Sequence, residues 1–418
     1  MSTASNNSSN AAETLHVAST ETEARHGKPK APYIPYGRQS ISQEDIDAVI
    51  GVLQSDFLTQ GPIVPRFENA FADYCEARHG IATNSATSAL HIACLALGVG
   101  QGDCVWTSPI TFVASANCAR YCGADVDFVD IDPTTYNLCH IALAEKLQKA
   151  RAQGSLPKAL IAVHLAGQSC NMREIRKLAD DYGFLVIEDA SHAVGSRYEN
   201  APVGNCRYSD IAVFSFHPVK IMTTGEGGIA LTNQTDLAEN MRLLRSHGVT
   251  RDTAALEACT PQAWYYEQRD LGFNYRMTDI QAALGVSQLE RLDDFLHQRR
   301  RVAHYYNTHL ADLPIQLPSQ ATATRSSWHL YIIRLQIDNI ARSHEAVFDR
   351  LRAAGIGVNL HYIPVHTQPY YRKMGFKTGQ FPEAERYYAE AISLPIYPSL
   401  SVEQLDHICD TLRETLVA

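Results

Sequence analysis

Short stretches that are apolar at every position, rather than at every second one, constrain this chain most. Ala159-Leu160-Ile161-Ala162-Val163, Phe184-Leu185-Val186-Ile187, Ile211-Ala212-Val213-Phe214 and Ile229-Ala230-Leu231 are of this kind. A strand reads this way when both faces of its sheet are covered, the usual condition of parallel sheets in α/β proteins. Ile81-Ala82-Thr83, Cys104-Val105-Trp106-Thr107 and Asp125 to Val129 read as further strands, and helical stretches such as Ala89 to Leu97 and Asn171 to Tyr182 separate them. The repeat predicts an α/β fold: a mostly parallel mixed sheet wrapped by helices.

At 418 residues the chain can bury a large core and is long enough for two or three domains. Its net charge of −9 is spread along acidic and basic residues without a basic block. Nothing therefore points to nucleic acid or an anionic membrane surface as a partner. No apolar stretch approaches the roughly 18 residues of a spanning helix, and no apolar segment follows the N-terminus, so a cytoplasmic protein is expected. The 10 cysteines lie scattered in apolar segments without a disulfide framework. Cys118 and Cys122 are one helical turn apart, but no matching pair is close in sequence, so packing is favoured over a metal site and no metal is expected. Residues 1–32 are rich in Ser, Thr, Asn and Ala and read as a disordered tail.

Two sites in the strand pattern carry chemistry. Lys220 lies in a connection rich in Gly and Thr, between the strands ending at Phe214 and beginning at Ile229. Taken alone, such a lysine is most often a solvated charge. Desolvated, its pKa falls, and the neutral amine attacks carbonyls to form a Schiff base. Glu188-Asp189 closes the strand that begins at Phe184, at the edge where open parallel sheets hold ligands. An Asp there often only caps a turn. It can also hold a pyridine ring nitrogen protonated, which makes the ring a sink for electrons. Asn84-Ser85-Ala86-Thr87-Ser88 opens a helix with small hydroxyl residues, which serves either as ordinary capping or as an anion site.

Glu188-Asp189-Ala190-Ser191-His192-Ala193, Phe214-Ser215-Phe216-His217-Pro218-Val219-Lys220 with Gly225-Glu226-Gly227-Gly228, and Asn274-Tyr275-Arg276-Met277-Thr278-Asp279 resemble the DegT-related sugar-nucleotide aminotransferases from Tyr33 to the C-terminus. The resemblance implies a pyridoxal phosphate enzyme of fold type I. It makes Lys220 and Asp189 catalytic and cofactor-binding, with Thr87, Ser88 and Ser215 on the cofactor phosphate, Phe112 over the ring, and His192 bracing the cofactor or Asp189. Asn274 is expected to reach the phosphate of a second subunit, making a homodimer with shared sites the catalytic unit. Lys220 would move the proton of an L-glutamate donor, with pyridoxamine phosphate as the intermediate carrier of nitrogen. Sugar 3-dehydratases related to the family carry His where this chain has Lys220, which favours aminotransfer.

Within the family, Ser55-Asp56-Phe57-Leu58-Thr59-Gln60-Gly61-Pro62, Asn84 to His91, Thr107 to Ser115 and Ser393-Leu394-Pro395 are most similar to the pseudaminic acid branch. This implies transfer to C4 of a UDP-4-keto-6-deoxy-N-acetylhexosamine, with dTDP- and GDP-linked keto sugars as alternatives. A non-catalytic, cofactor-binding regulator is the rival from another class. Tyr36, Thr59, Gly61, His329, His361 and Tyr362 are the candidate substrate contacts.

Elsewhere the spacing predicts a helix opened by Ser42, burying Ile46, Val49, Ile50 and Leu53. Phe67, Phe71 and Tyr74 make the next packing face, and another helix follows from about Asp236 to Ser246. Thr278 opens one long helix with Ile280, Ala283, Leu284, Leu289 and Leu292 on its apolar face. A linker near Leu317-Pro318 separates a large cofactor-binding domain, residues 33–317, from a smaller α+β domain, residues 318–418. The latter is expected to hold strands at Leu330 to Ile337 and Ile356 to Leu360, and helices at His344 to Ala354, Glu383 to Ala391 and Val402 to Leu412.

Overall fold

The computed structural model describes residues 33–252, 256–257 and 262–417; the predicted tail lies outside the described residues. The apolar runs form seven strands, β1 (His79–Thr83), β2 (Cys104–Thr107), β3 (Asp125–Phe128), β4 (Ala159–Val163), β5 (Leu185–Asp189), β6 (Ile211–Ser215) and β7 (Gly228–Thr232). They lie in the order β1-β7-β6-β5-β4-β2-β3. Only β7 runs against its neighbours, pairing antiparallel with β1 and β6. The other strands therefore all end at one edge of the sheet, and the loops leaving that edge can converge. Buried apolar clusters cover both faces, as runs without alternation require. Phe67 and Phe71 are fully buried and pack edge-on against Phe214 and Phe216, with ring centroids 5.1–5.2 Å apart, directly beneath the loop that carries Lys220.

The helix His140–Gln153, absent from the expected elements, buries only Leu143, Leu147 and Ala150 along its length and leaves Ile141 61% exposed. The helix Gln43–Leu53 is where it was expected, but its buried face is not. Asp45 and Val52 point inward, Val49 is half-buried, and Ile46, Ile50 and Leu53 are 43–55% exposed. A polar anchor overrides the apolar stripe. Buried Asp45 accepts from Ser287 Oγ (2.6 Å) and Gln288 Nε2 (2.6 Å) and pairs with Arg291, so this helix turns its acid rather than its isoleucines towards the body of the protein. The single long helix expected from Thr278 is two, Asp279–Glu290 and Leu292–His309, meeting at Arg291. Thr278 does cap the first, with Gln281 completing the capping box.

The C-terminal region carries a three-stranded antiparallel sheet, β8 (Ile315–Gln316), β9 (Tyr331–Leu335) and β10 (Ala391–Leu394), in that order, over its own apolar cluster. The expected junction at Leu317-Pro318 falls just after β8. Ile356 to Leu360 is not a strand: it makes only isolated bridges, from Ile356 to Ile34 and from Asn359 to Ser393 on the edge strand β10. Ala391, expected to end a helix, begins β10 instead, and the helix before it is Pro382–Glu390. The last helix runs on to Val417. Among the described residues no helix is long and apolar enough to cross a membrane, and no group of His, Cys, Asp or Glu is placed to hold a metal ion.

Candidate active site

A cavity of about 910 Å³ opens where the parallel strands end. It is lined by Asn84 to Ser88 after β1, Thr111 and Phe112 after β2, Asp189 at the end of β5, and Ser215 and Lys220 at and after the end of β6. Its volume is that of a small-molecule or cofactor site.

Lys220 is held by a loop pinned at both ends. Phe216 N–H donates to Gly227 O (3.0 Å), Thr224 N–H to Phe216 O (3.0 Å), Thr223 Oγ to Phe216 O (2.9 Å) and Lys220 N–H to His217 O (2.9 Å). Thr223 and Thr224 supply hydroxyls that satisfy this turn internally, and Gly225, at φ +79°, supplies a conformation other residues adopt at a cost. Burial of the amine, opposed by the charge of Asp189, lowers the Lys220 pKa to about 8.

Asp189 is 6% exposed and accepts from Ser115 Oγ (2.6 Å) and Ser191 N–H (3.1 Å). The helix Ala86–Ala96 points its first turn into the cavity, with Ser85 Oγ capping Ser88 N–H (3.1 Å). Its first backbone N–H groups and dipole suit an anion. Ser88 Oγ donates to Asn84 Oδ1 (2.6 Å), so its hydroxyl meets an anion only by leaving that bond; Thr87 and Ser215 also line the wall. Gly228 lets this helix come close: a Cβ there would lie 2.5 Å from Ala86 N and 2.6 Å from Ala86 Cα.

Opposite Lys220, three imidazoles crowd a phenol. His192 Nδ1 accepts from Ala166 N–H (3.3 Å), and its Nε2 lies 3.0 Å from Tyr362 Oη. Burial, then Lys220 and His361, drive the His192 pKa well down, so the ring is neutral. With Nδ1 accepting, the hydrogen must sit on Nε2 and point at Tyr362 Oη. That leaves the Tyr362 hydroxyl hydrogen for another acceptor. His329, 4.3 Å from His192 between ring centroids, is also pushed well down by burial and by His192 and Lys220. His361 falls to about 3 through burial and Lys220.

The structure thus gathers Lys220, Asp189, His192, Thr87, Ser88, Phe112, Ser215, Tyr36, His329, His361 and Tyr362 around one cavity. Phe112 is 58% exposed, an apolar ring face open to a planar ligand. Thr59 and Gly61 are not brought there. Thr59 bridges to Thr278, and Gly61 N–H donates to Asp279 Oδ2 (2.6 Å), where a Cβ would lie 2.1 Å from that oxygen, so both lock the start of the helix Asp279–Glu290. Asn274 also stands outside this cavity, exposed and bridged to Ser246. His192 bonds Ala166 and Tyr362 rather than Asp189. Ser115, the last residue of the stretch Thr107 to Ser115, does bond Asp189, a pairing that no sequence signal carries, since only folding brings positions 74 apart in sequence together.

A carbonyl-reactive amine, a carboxylate at a strand end, a helix N-terminus and an open aromatic face fit a phosphorylated pyridine aldehyde. The comparisons agree. Residues 39–413 match the model of the DegT/DnrJ/EryC1/StrS aminotransferase family. The spore coat polysaccharide biosynthesis protein SpsC of Bacillus subtilis is 38% identical over 91% of this chain and 97% of its own. The UDP-4-amino-4,6-dideoxy-N-acetyl-beta-L-altrosamine transaminase of Campylobacter jejuni is 36% identical over 92% of this chain and 97% of its own. Helicobacter pylori PseC, an aminotransferase involved in the biosynthesis of pseudaminic acid, superposes with a TM-score of 0.84 at 31% identity, over 92% of this chain and 99% of that one. Streptococcus pneumoniae Spr1654 in its PLP form gives a TM-score of 0.81 at 28% identity, over 92% of this chain and 98% of that one. The chain belongs to the DegT/DnrJ/EryC1/StrS family and is a sugar aminotransferase of fold type I that depends on pyridoxal phosphate.

Proposed function

We propose that the protein transfers the amino group of L-glutamate to C4 of a UDP-linked 4-keto-6-deoxy-N-acetylhexosamine, acting as a homodimer. The observation that carries this reading is the 36% identity, across nearly both full lengths, to a transaminase of that product class. The 38% identity to a spore coat polysaccharide biosynthesis protein keeps a second reading, another nucleotide-linked keto sugar as acceptor. When bound, pyridoxal phosphate supplies an aldehyde that accepts nitrogen and a conjugated ring that takes up electrons released at the donor's α-carbon.

The chain's own groups do the rest. Lys220, with its pKa near 8, holds a useful fraction of neutral amine at physiological pH and can take a proton from the donor's α-carbon at Nζ. Asp189 would accept from the ring nitrogen. The first turn of Ala86–Ala96, with Thr87, Ser88 and Ser215, would bind the phosphate, and Phe112 would cover the ring. His192 turns the Tyr362 hydroxyl towards the cavity, where Tyr36, His329 and His361 meet the sugar.

Support for the dimer comes from the surface. Ile46, Ile50, Leu53, Phe57 and Leu58 are all more than two-fifths exposed on one stretch of chain, an apolar patch of the kind that marks an interface. In that dimer Asn274 completes the partner's phosphate site.

A panel of UDP-, GDP- and dTDP-linked 4-keto-6-deoxy sugars with glutamate decides the substrate. A preference of at least about tenfold for the UDP-linked N-acetyl sugar is expected. Preference for a dTDP sugar would leave the aminotransferase standing and overturn this substrate.

A further inference from the structure

Asp189 is held by more than its backbone position. Its Oδ2 receives Ser115 Oγ at 2.6 Å, and Ser115 Oγ lies 2.7 Å from Thr111 Oγ1. All three are buried: Thr111 is 2% exposed, Ser115 0% and Asp189 6%. A serine hydroxyl has one hydrogen. Given to Asp189, it is unavailable to Thr111, so in the second contact Thr111 is the donor and Ser115 the acceptor. The two hydroxyls form a chain polarised towards the carboxylate, and Ser191 N–H (3.1 Å) occupies its other oxygen.

Donors on both oxygens fix the plane of the carboxylate. Ser115 sits near the start of the helix Ala114–Tyr121, whose first residue, Ala114, lines the same cavity as Thr111 and Phe112. The loop after β2 thus sets the ring-covering aromatic and the orientation of Asp189 together.

We propose that Ser115, backed by Thr111, is a positioning residue for aminotransfer: it holds Asp189 as a charged acceptor aimed at the cofactor's ring nitrogen. This rests on the site proposed above. With its plane fixed, Asp189 would keep an aligned hydrogen bond to the ring nitrogen; loss of Ser115 would free the carboxylate to turn, weakening that bond and with it the ring's hold on electrons.

The test uses the full-length protein stripped of cofactor and reloaded, with two probes: pyridoxal phosphate and its carbocyclic analogue, which has carbon in place of the ring nitrogen. Ser115→Ala is expected to weaken pyridoxal phosphate binding by about tenfold, as the misaligned carboxylate forfeits its hydrogen bond to the ring nitrogen, and to shift the pH midpoint of the bound cofactor's visible absorbance. Ser115→Thr, which keeps the hydroxyl, restores both. Thr111→Val, close in shape to the original, shows a smaller shift in the same direction. Binding of the carbocyclic analogue should differ less than about twofold between the wild-type protein and Ser115→Ala, since that ring offers Asp189 nothing to hold. Equal losses for both probes would mean that Ser115 acts only on the shape of the pocket, and would overturn the inference. So would wild-type binding and titration in Ser115→Ala while the wild-type protein loads normally. A wild-type protein that takes up no pyridoxal phosphate at this cavity would instead overturn the site itself, and the inference with it.

Discussion

Lys220 is made reactive by where its amine sits rather than by any change in its chemistry. With a pKa near 8, about a tenth of the amine is neutral at pH 7, against well under a thousandth for an exposed lysine. The rate at which cofactor-free protein takes up pyridoxal phosphate should therefore rise with pH and level off above about 8, and Lys220→Ala should form no borohydride-stable adduct; a plateau near 10.5 would contradict the burial argument. The neighbouring imidazoles bear on stability with a definite sign. His361 titrates near 3 when folded and near 6.5 when unfolded, so below 6.5 the unfolded chain binds the proton and the folded one does not. Its contribution is lost as pH falls through that window, about 2 kcal/mol by pH 5. Thermal melts of His361→Asn should lose less between pH 7 and pH 5 than those of the wild-type protein.

The most telling element is the helix Ala86–Ala96, because strand β7 supports its first turn from below. Gly228 pairs with both Thr83 and Ser215 and leaves no room between itself and the backbone of Ala86. Gly228→Ala must push that backbone, which no side-chain rotation can relieve. A stability loss on the order of 1–3 kcal/mol is expected, together with weaker cofactor binding, measurable by denaturant titration and by spectral titration. If only stability falls, the first turn of this helix is not what holds the phosphate. The helix Gln43–Leu53 makes the opposite point. Its apolar spacing is genuine, yet Asp45 decides which way it faces.

At the scale of the whole molecule, the proposed homodimer rests on the outward apolar face of that helix and is tested there and at Asn274. Leu53→Glu should shift the protein towards monomer in sedimentation, since a charge placed in a buried interface is left unpaired. Asn274→Ala should weaken cofactor retention about ten- to a hundredfold. Mixed with Lys220→Ala, it should regain activity, because each mixed dimer then holds one site with Lys220 and an intact neighbouring Asn274. No recovery in verified mixed dimers would place both residues in one subunit's site.

The sequence by itself determined the seven core strands, the loop that carries Lys220 and the strand end that carries Asp189. Continuous apolar runs have few alternatives to a sheet covered on both faces, and the residues that close them are set by chain order. It named the residues across the cavity through the family resemblance, but did not determine how they meet. His192, His329, His361 and Tyr362 come from three separate stretches, and their neutral rings and the direction of the Tyr362 hydroxyl follow from burial beside one another. The short strands Ile315–Gln316 and Ala391–Leu394 were illegible for the same reason: each is defined by pairing with Tyr331–Leu335 rather than by a pattern of its own. Ser115 and Asp45 mark the limit most clearly. One reads as packing and the other as an acid in a helix's first turn, and only the fold shows that the first bonds Asp189 and the second chooses the face of a helix.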